Sequence, residues 1–227
     1  MIRALVFDFD GLIIDTETPI FQSWQEIYQA HGCRLSFDDW SKIIGTADDL
    51  FDPFDELVRQ SGQSLDRATI KAQQRQREIE MILTRPVSPG IAEYLADSRP
   101  RGLKIGLASS STRKWVTGHL FRLGLLAYFD TIQAREDVPR TKPDPALYQQ
   151  AVQALGVSPS QAVAFEDSPN GILAARRAGL FCVAVPNPLT RRLDFNQADL
   201  CISSLAEMPL EKLLEEIERR LNHPPVT

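Results

Sequence analysis

The fold class predicted for this chain is α/β: a doubly wound, Rossmann-like parallel sheet into which an all-helical cap is inserted. Three observations predict it. Nearly unbroken apolar runs at residues 4–7, 103–108, 162–165 and 181–185 lack the polar alternation of a half-exposed strand, so they suit strands covered on both faces by helices. Between the later runs lie segments with apolar residues at helical spacing, and a β-α rhythm calls for right-handed crossovers in a parallel sheet. The stretch 16–85 holds no strand-like run and is far too long for a βα connection.

The elements follow in order. Residues 4–7 make the first strand. Thr18-Pro19 then opens a helix with Ile20, Phe21, Trp24, Ile27 and Tyr28 on one face, a short helix covers 36–44, and a long polar one covers about 64–83. This block, 16–85, reads as the cap; 1–15 and 86–227 read as the core, and the two crossings near Thr16 and Pro86–Gly90 make a hinge. Residues 112–123 carry Trp115, Val116, His119, Leu120 and Leu123 ahead of Gly124. Asp144-Pro145 predicts an N-cap and first helical residue, with Gly156 ending that helix. Ser168-Pro169 opens another, closed near Gly179. The last helix, from Pro209 to Leu221, sets Leu210, Leu213, Leu214 and Ile217 against the fold, with Glu215–Arg219 and Glu216–Arg220 as surface pairs.

Composition excludes several classes. The 227 residues are 43% hydrophobic and carry a formal charge of −5, which fits a globular chain and gives no basic face for nucleic acid. No apolar run approaches the roughly 18 residues of a membrane span, and the N-terminus reaches Asp8 too early for a signal peptide. Cys33, Cys182 and Cys201 are scattered, which predicts reduced thiols and a cytoplasmic location; Cys182 and Cys201 sit in apolar runs and are expected in the core. Neither a nucleic-acid nor a membrane partner is expected, and a monomer is the default.

In an open α/β sheet, ligands gather beyond the carboxyl ends of the strands. There the chain places Asp8 and Asp10 after the first run, Ser109, Ser110 and Ser111 after the second, Glu166 and Asp167 after the third, and Lys142 in a loop before a helix. Crowded carboxylates without histidine or thiolate suit a hard oxygen-seeking cation, Mg²⁺. A cation, Lys142, Ser109 and backbone amides can hold the three oxygens of a phosphoryl group. One carboxylate in that cage can attack phosphorus, and a second two residues on can work as acid and base.

The segments DFDGLIIDT, LASSS, KPDP and FEDSPNG, in that order and spacing, resemble the four motifs of the haloacid dehalogenase superfamily. The position of the insertion resembles the subgroup of phosphatases with a small helical cap related to β-phosphoglucomutase. The resemblance covers essentially the whole chain. It implies Asp8 as nucleophile and Asp10 as general acid/base. It also implies Mg²⁺ held by Asp8, the Asp10 carbonyl and Asp167 with Glu166 in support, and Ser109, Ser110 and Lys142 on the phosphoryl group. Asp15 and Thr16 are expected to shape the turn into the cap.

Departures from the family pattern favour hydrolysis over phosphate migration. Ile20 stands where the mutase carries a histidine, and Asp48 of GTADD stands near the place of a phosphate-gripping arginine, where a carboxylate would repel a second phosphate. Asp10 argues against dehalogenation, and Lys42 and Lys71 lack the context for phosphonate chemistry. Trp24, Thr46, Asp48 and Arg113 are candidates for substrate specificity. Lys71, Arg75 and Arg77 read as a solvated helix face, and Asp144 as a helix cap. The histidines are assigned no chemistry. The alternatives are a β-phosphoglucomutase-type sugar phosphomutase and a non-enzymatic phospho-accepting signalling module; the DxDG on the first strand and the cap speak against the latter.

Overall fold

The computed structural model describes residues 1–44 and 51–222. Six strands form one parallel sheet: β1 (Ala4–Phe7), β2 (Lys104–Ala108), β3 (Thr131–Gln133), β4 (Ala162–Glu166), β5 (Phe181–Ala184) and β6 (Leu200–Cys201). Their order is β3-β2-β1-β4-β5-β6. The chain thus winds outward from β1 in both directions, and β1 sits at the switch point where an open sheet leaves a crevice. Register aligns the ends: Phe7 pairs with Leu107 on one side and Phe165 on the other. The residues after β1, β2 and β4 therefore emerge at one level.

The strands alternate large and small. Leu5, Phe7, Ile105, Leu107, Val163 and Phe165 build a bulky core on one face, where Phe7 and Phe165 stack at 4.8 Å. Ala4, Val6, Ala162, Ala164, Cys182 and Ala184 make the other face shallow. Small side chains there let the covering helices approach the sheet closely, which brings their polar groups near the strand ends.

Among the described residues, four helices lie between β1 and β2 before the chain settles against the sheet: α1 (Glu17–Ala30), α2 (Phe37–Ser41), α3 (Pro53–Ser61) and α4 (Arg67–Leu83). They enclose their own core of Phe21, Trp24, Tyr28, Trp40, Leu57 and Ile70. α3 is not among the helices expected from the pattern, although its punctuation is in the chain. Asp52 accepts from the amides of Phe54 and Asp55, Pro53 starts the helix, and Gly62 ends it at φ 65°. The core helices are α5 (Ile91–Ser98), α6 (Arg113–Arg122), α7 (Ala146–Leu155), α8 (Pro169–Arg177) and α9 (Leu210–Asn222).

Several expectations shift in detail. α7 begins one residue later than Asp144-Pro145 implies, yet Asp144 still accepts from the Ala146 amide at 3.0 Å. Ser168 caps α8 as expected, accepting from Gly171, but the C-cap is Ala178, one residue before Gly179. On α9, Arg219 and Arg220 both pair with Glu216, while Glu215 pairs with Lys212. β3 has no counterpart in the apolar runs, and β6 falls in the short run around Cys201, which is not read as a strand; they are three and two residues long at the sheet edges. Cys182 is fully buried, but Cys201 is exposed. It ends an edge strand with no neighbour on its outer side, so the core reading of that residue is corrected. No helix among the described residues is long and apolar enough to cross a membrane.

Candidate active site

Asp8 directly follows β1, and its amide still donates to the Phe165 carbonyl at 3.0 Å. Its carboxylate forms a buried ion pair with Lys142, whose ammonium lies 2.6 Å from Glu166 Oε1. Glu166, the last residue of β4, is completely buried and also accepts from the Tyr148 hydroxyl of α7 at 2.5 Å. Asp167 completes the cluster: one oxygen from each of Asp8, Glu166 and Asp167 lies within 4.8 Å of the others. Asn187, just beyond β5, donates to Asp167 Oδ2 at 2.7 Å and to the Gly11 carbonyl at 3.4 Å.

Two glycines exist to let this cluster close. Gly11 has φ +80°, and a Cβ there would fall 2.1 Å from Asp167 Oδ2. A Cβ on Gly171 would fall 2.0 Å from the Glu166 carboxyl. Both positions need a hydrogen where any other residue has carbon.

Electrostatics follow from burial. Desolvation drives the Asp8 carboxyl well above its ordinary value; Lys142 opposes this, and Glu166 and Asp10 add to it. Asp167 is raised in the same sense, by burial first and then by Asp8, Glu17 and Glu166. Burial also works against the Lys142 ammonium, but Asp8 and Glu166 outweigh it and hold that group above the usual lysine range. Three buried carboxylates against one ammonium is a donor set short of positive charge. Its all-oxygen chemistry fits a Mg²⁺ ion.

Beside this cage opens a cavity of about 500 Å³, lined by Asp8, Asp10, Lys142 and Asp167 from the core and by helices α1, α2 and α4 above. Asp10, half-buried, accepts from Trp115 Nε1 at 2.9 Å and from Ser109 Oγ at 3.4 Å. Ser109 Oγ in turn accepts from the Ser111 amide. The buried Ser110 Oγ has no hydrogen-bond partner among the described residues. The expected residues Asp8, Asp10, Ser109, Ser110, Lys142, Glu166 and Asp167 are thus brought together.

The specificity candidates fare differently. Trp24 is 5% exposed inside the core of the helical insertion and does not line the cavity. Arg113 points outward and pairs with Asp137. Thr46 and Asp48 lie outside the described residues. Arg75, read as part of a solvated face, is half-exposed and also lines the cavity with Glu17 and Glu78, whereas Lys71 and Arg77 pair with Asp52 and Glu26 on the surface. The half-buried Glu17 is raised to about 8 by desolvation and then by repulsion from Asp10, Asp15 and Glu78.

The profile of the haloacid dehalogenase-like hydrolases matches residues 5–185. A Bacillus subtilis (strain 168) protein, named "Putative phosphatase YhcW", is 47% identical over 217 residues, spanning 96% of this chain and 98% of that one. Hexitol phosphatase B of Escherichia coli (strain K12) is 32% identical over 220 residues, spanning 94% and 97%. Among solved structures, CbbY from Rhodobacter sphaeroides in complex with phosphate superposes with a TM-score of 0.71 at 29% identity, covering 91% of this chain and 96% of that one. The chain belongs to the haloacid dehalogenase-like hydrolases. Within that family it is a phosphatase, a phosphoric monoester hydrolase.

Proposed function

We propose that the chain hydrolyses a small phosphorylated sugar or polyol by way of an aspartyl-phosphate on Asp8, with Asp10 as general acid and base. The carrying observation is the pairing at the end of the central strand. Asp8 is buried against Lys142, while Asp10, two residues on, faces the cavity with one carboxylate oxygen next to Ser109. In the first half-reaction an Asp8 oxygen attacks phosphorus and the phosphorus–alcohol bond breaks. Its electron pair stays on the alcohol oxygen, which takes a proton from Asp10. In the second, Asp10 accepts a proton from the water that attacks the aspartyl-phosphate, which restores both side chains and releases inorganic phosphate.

Lys142, Ser109 and the uncommitted Ser110 hydroxyl are placed to hold the transferring oxygens. Asp8, Asp167 and the Asp10 carbonyl, with Glu166 in support, would hold Mg²⁺, which supplies compensation for charge on the phosphoryl group. Glu166 is already engaged by Lys142 and Tyr148, so its first task is to hold the lysine.

The cavity's upper half supports a neutral carbon skeleton. It presents Ile20, Trp40, Ile43 and Ile44 together with Glu17, Glu78 and Arg75; Arg75 is already paired with Glu78, so among the described residues these helices offer polar partners to hydroxyls and no uncommitted cation to a second phosphate. Likeness to a hexitol phosphatase points the same way. The test is Asp8→Asn. Turnover of p-nitrophenyl phosphate with Mg²⁺ should fall at least about a thousandfold, as expected when a covalent route is removed, with an unchanged circular dichroism spectrum. Retained turnover would remove Asp8 from the reaction. Release of free phosphate, with no isomerised sugar phosphate from β-glucose 1-phosphate, separates hydrolysis from mutase chemistry.

A further inference from the structure

The geometry points to Trp115 as a positioning residue: its indole N–H fixes the Asp10 carboxylate, and Arg75, stacked on the indole from the cap, makes that placement depend on the cap. This rests on the reading of Asp10 as the acid and base. Two described donors reach the Asp10 carboxylate. The Trp115 Nε1 contact to Oδ1, at 2.9 Å, is the short one; the Ser109 Oγ contact to Oδ2, at 3.4 Å, is long. An indole N–H donates and cannot accept. Oδ1 is therefore committed whichever form Asp10 is in, and a proton on the protonated acid sits on Oδ2, the oxygen beside Ser109. That oxygen delivers the proton to the departing alcohol as the phosphorus–oxygen bond breaks.

Trp115 is itself held from several sides. Thr112 caps α6 and accepts from the Trp115 amide at 3.3 Å. His119, one turn later, packs edge-on at 4.2 Å with an interplanar angle of 70°. The Arg75 guanidinium lies over the ring, 4.5 Å from its centroid. Arg75 belongs to α4 and is paired with Glu78. Glu78 accepts from Gln74 at 3.0 Å, Gln74 donates to Ser23 Oγ at 2.9 Å, and Ser23 donates to the Ile20 carbonyl. A continuous set of contacts thus runs from the interior of the helical insertion to one oxygen of Asp10. If the insertion lifts, the indole loses the cation on its face and Asp10 loses the firm seat of its anchor.

Trp115→Phe keeps a ring for Arg75 and removes only the donor. Phenyl phosphate and p-nitrophenyl phosphate, with Mg²⁺ present, separate positioning of an acid from general damage, because the phenolate leaving group needs a proton far more than nitrophenolate does. General acid catalysis contributes about a hundredfold or more. A mispositioned acid should therefore lower kcat/KM for phenyl phosphate by at least about tenfold, and for p-nitrophenyl phosphate by less than about threefold. The inhibition constant of inorganic phosphate should stay within about twofold of the parent, since its oxygens meet Lys142 and Ser109. Equal losses on both esters, or no loss on either, would overturn the positioning role. Arg75→Ala should show the same selective loss and Arg75→Lys should restore it; an Arg75→Ala variant with the parent's ratio would overturn the dependence on the cap. Asp10→Asn keeps the two readings apart. If it retains full turnover, the acid/base reading fails; if it is inactive while Trp115→Phe is not selective, only the present inference fails.

Discussion

The two halves of the cavity are built on opposite principles. Below, Asp8, Lys142, Glu166 and Asp167 are almost wholly buried; Lys142 ties Asp8 to Glu166 and Asn187 holds Asp167, and each stands at a strand end or on a loop pinned to one. Above, Glu17 is half-buried and the Arg75 side chain is 50% exposed, Glu78 being the buried exception, and these side chains come from α1 and α4, meeting Trp40 of α2 with Ile43 and Ile44 beyond it. Buried, mutually bonded groups are rigid, and removing one strands the others. Half-exposed groups are cheaper to move and to replace. The lower half therefore suits chemistry common to all substrates, and the upper half suits the choice among them.

The sharpest way to break this contrast is Lys142→Met. It leaves Asp8 and Glu166 facing each other with no cation between them. Removing one partner of a buried pair costs about 3–5 kcal/mol, which for a chain of this size lowers Tm by roughly 10 °C or more. Arg75→Met should lower Tm by no more than about 2–4 °C, since it removes one exposed ion pair and one stacked cation. Comparable losses from both variants in calorimetry would mean that the two halves do not differ in rigidity.

Next in size is the response to metal. Mg²⁺ at about a hundred times its dissociation constant should stabilise the folded chain by roughly 2.7 kcal/mol, a rise in Tm of about 5–10 °C. Asp167→Asn should abolish most of that rise, and Glu78→Gln, in the upper half, should leave it intact. A full rise in the Asp167→Asn protein would remove this carboxylate from the ion's ligands.

The same contrast governs what could be read from the chain. Asp8, Ser109 and Glu166 each follow an apolar run directly, and a strand end is a place that a one-dimensional pattern locates. The packing of β1 between β2 and β4 then brings them together with no further information. Asn187 could have been found by the same rule, since it follows FCVAVP. Arg75 and Trp115 could not. They are 40 residues apart on two helices, and α4 is polar around much of its circumference, so nothing local says which cation meets the indole. Lys71 and Arg77, close by on the same helix, are as exposed as Arg75 and differ in their partners, Asp52 and Glu26. Edge strands β3 and β6 escaped for a related reason: with one neighbour each and three and two residues, they leave too short a pattern to read as a strand.

The smallest effect tests the upper half alone. Glu17 takes its proton at about 8 in the folded chain against 4.5 for an ordinary glutamate, because desolvation and the nearby Asp10, Asp15 and Glu78 disfavour its anion. The folded state therefore keeps a proton that the unfolded chain has released. The stability linked to this group is fully present below about 4.5, where both states hold the proton, and is lost as pH rises to and through about 8. Glu17→Gln fixes the neutral form. Without added metal, its Tm should match the parent's near pH 4.5 and exceed it by a few degrees above pH 8, the gap opening across that window. A pH-independent difference would show that Glu17 ionises as an ordinary surface carboxylate. A parent that gains stability with pH, relative to the variant, would show that a cation already faces it.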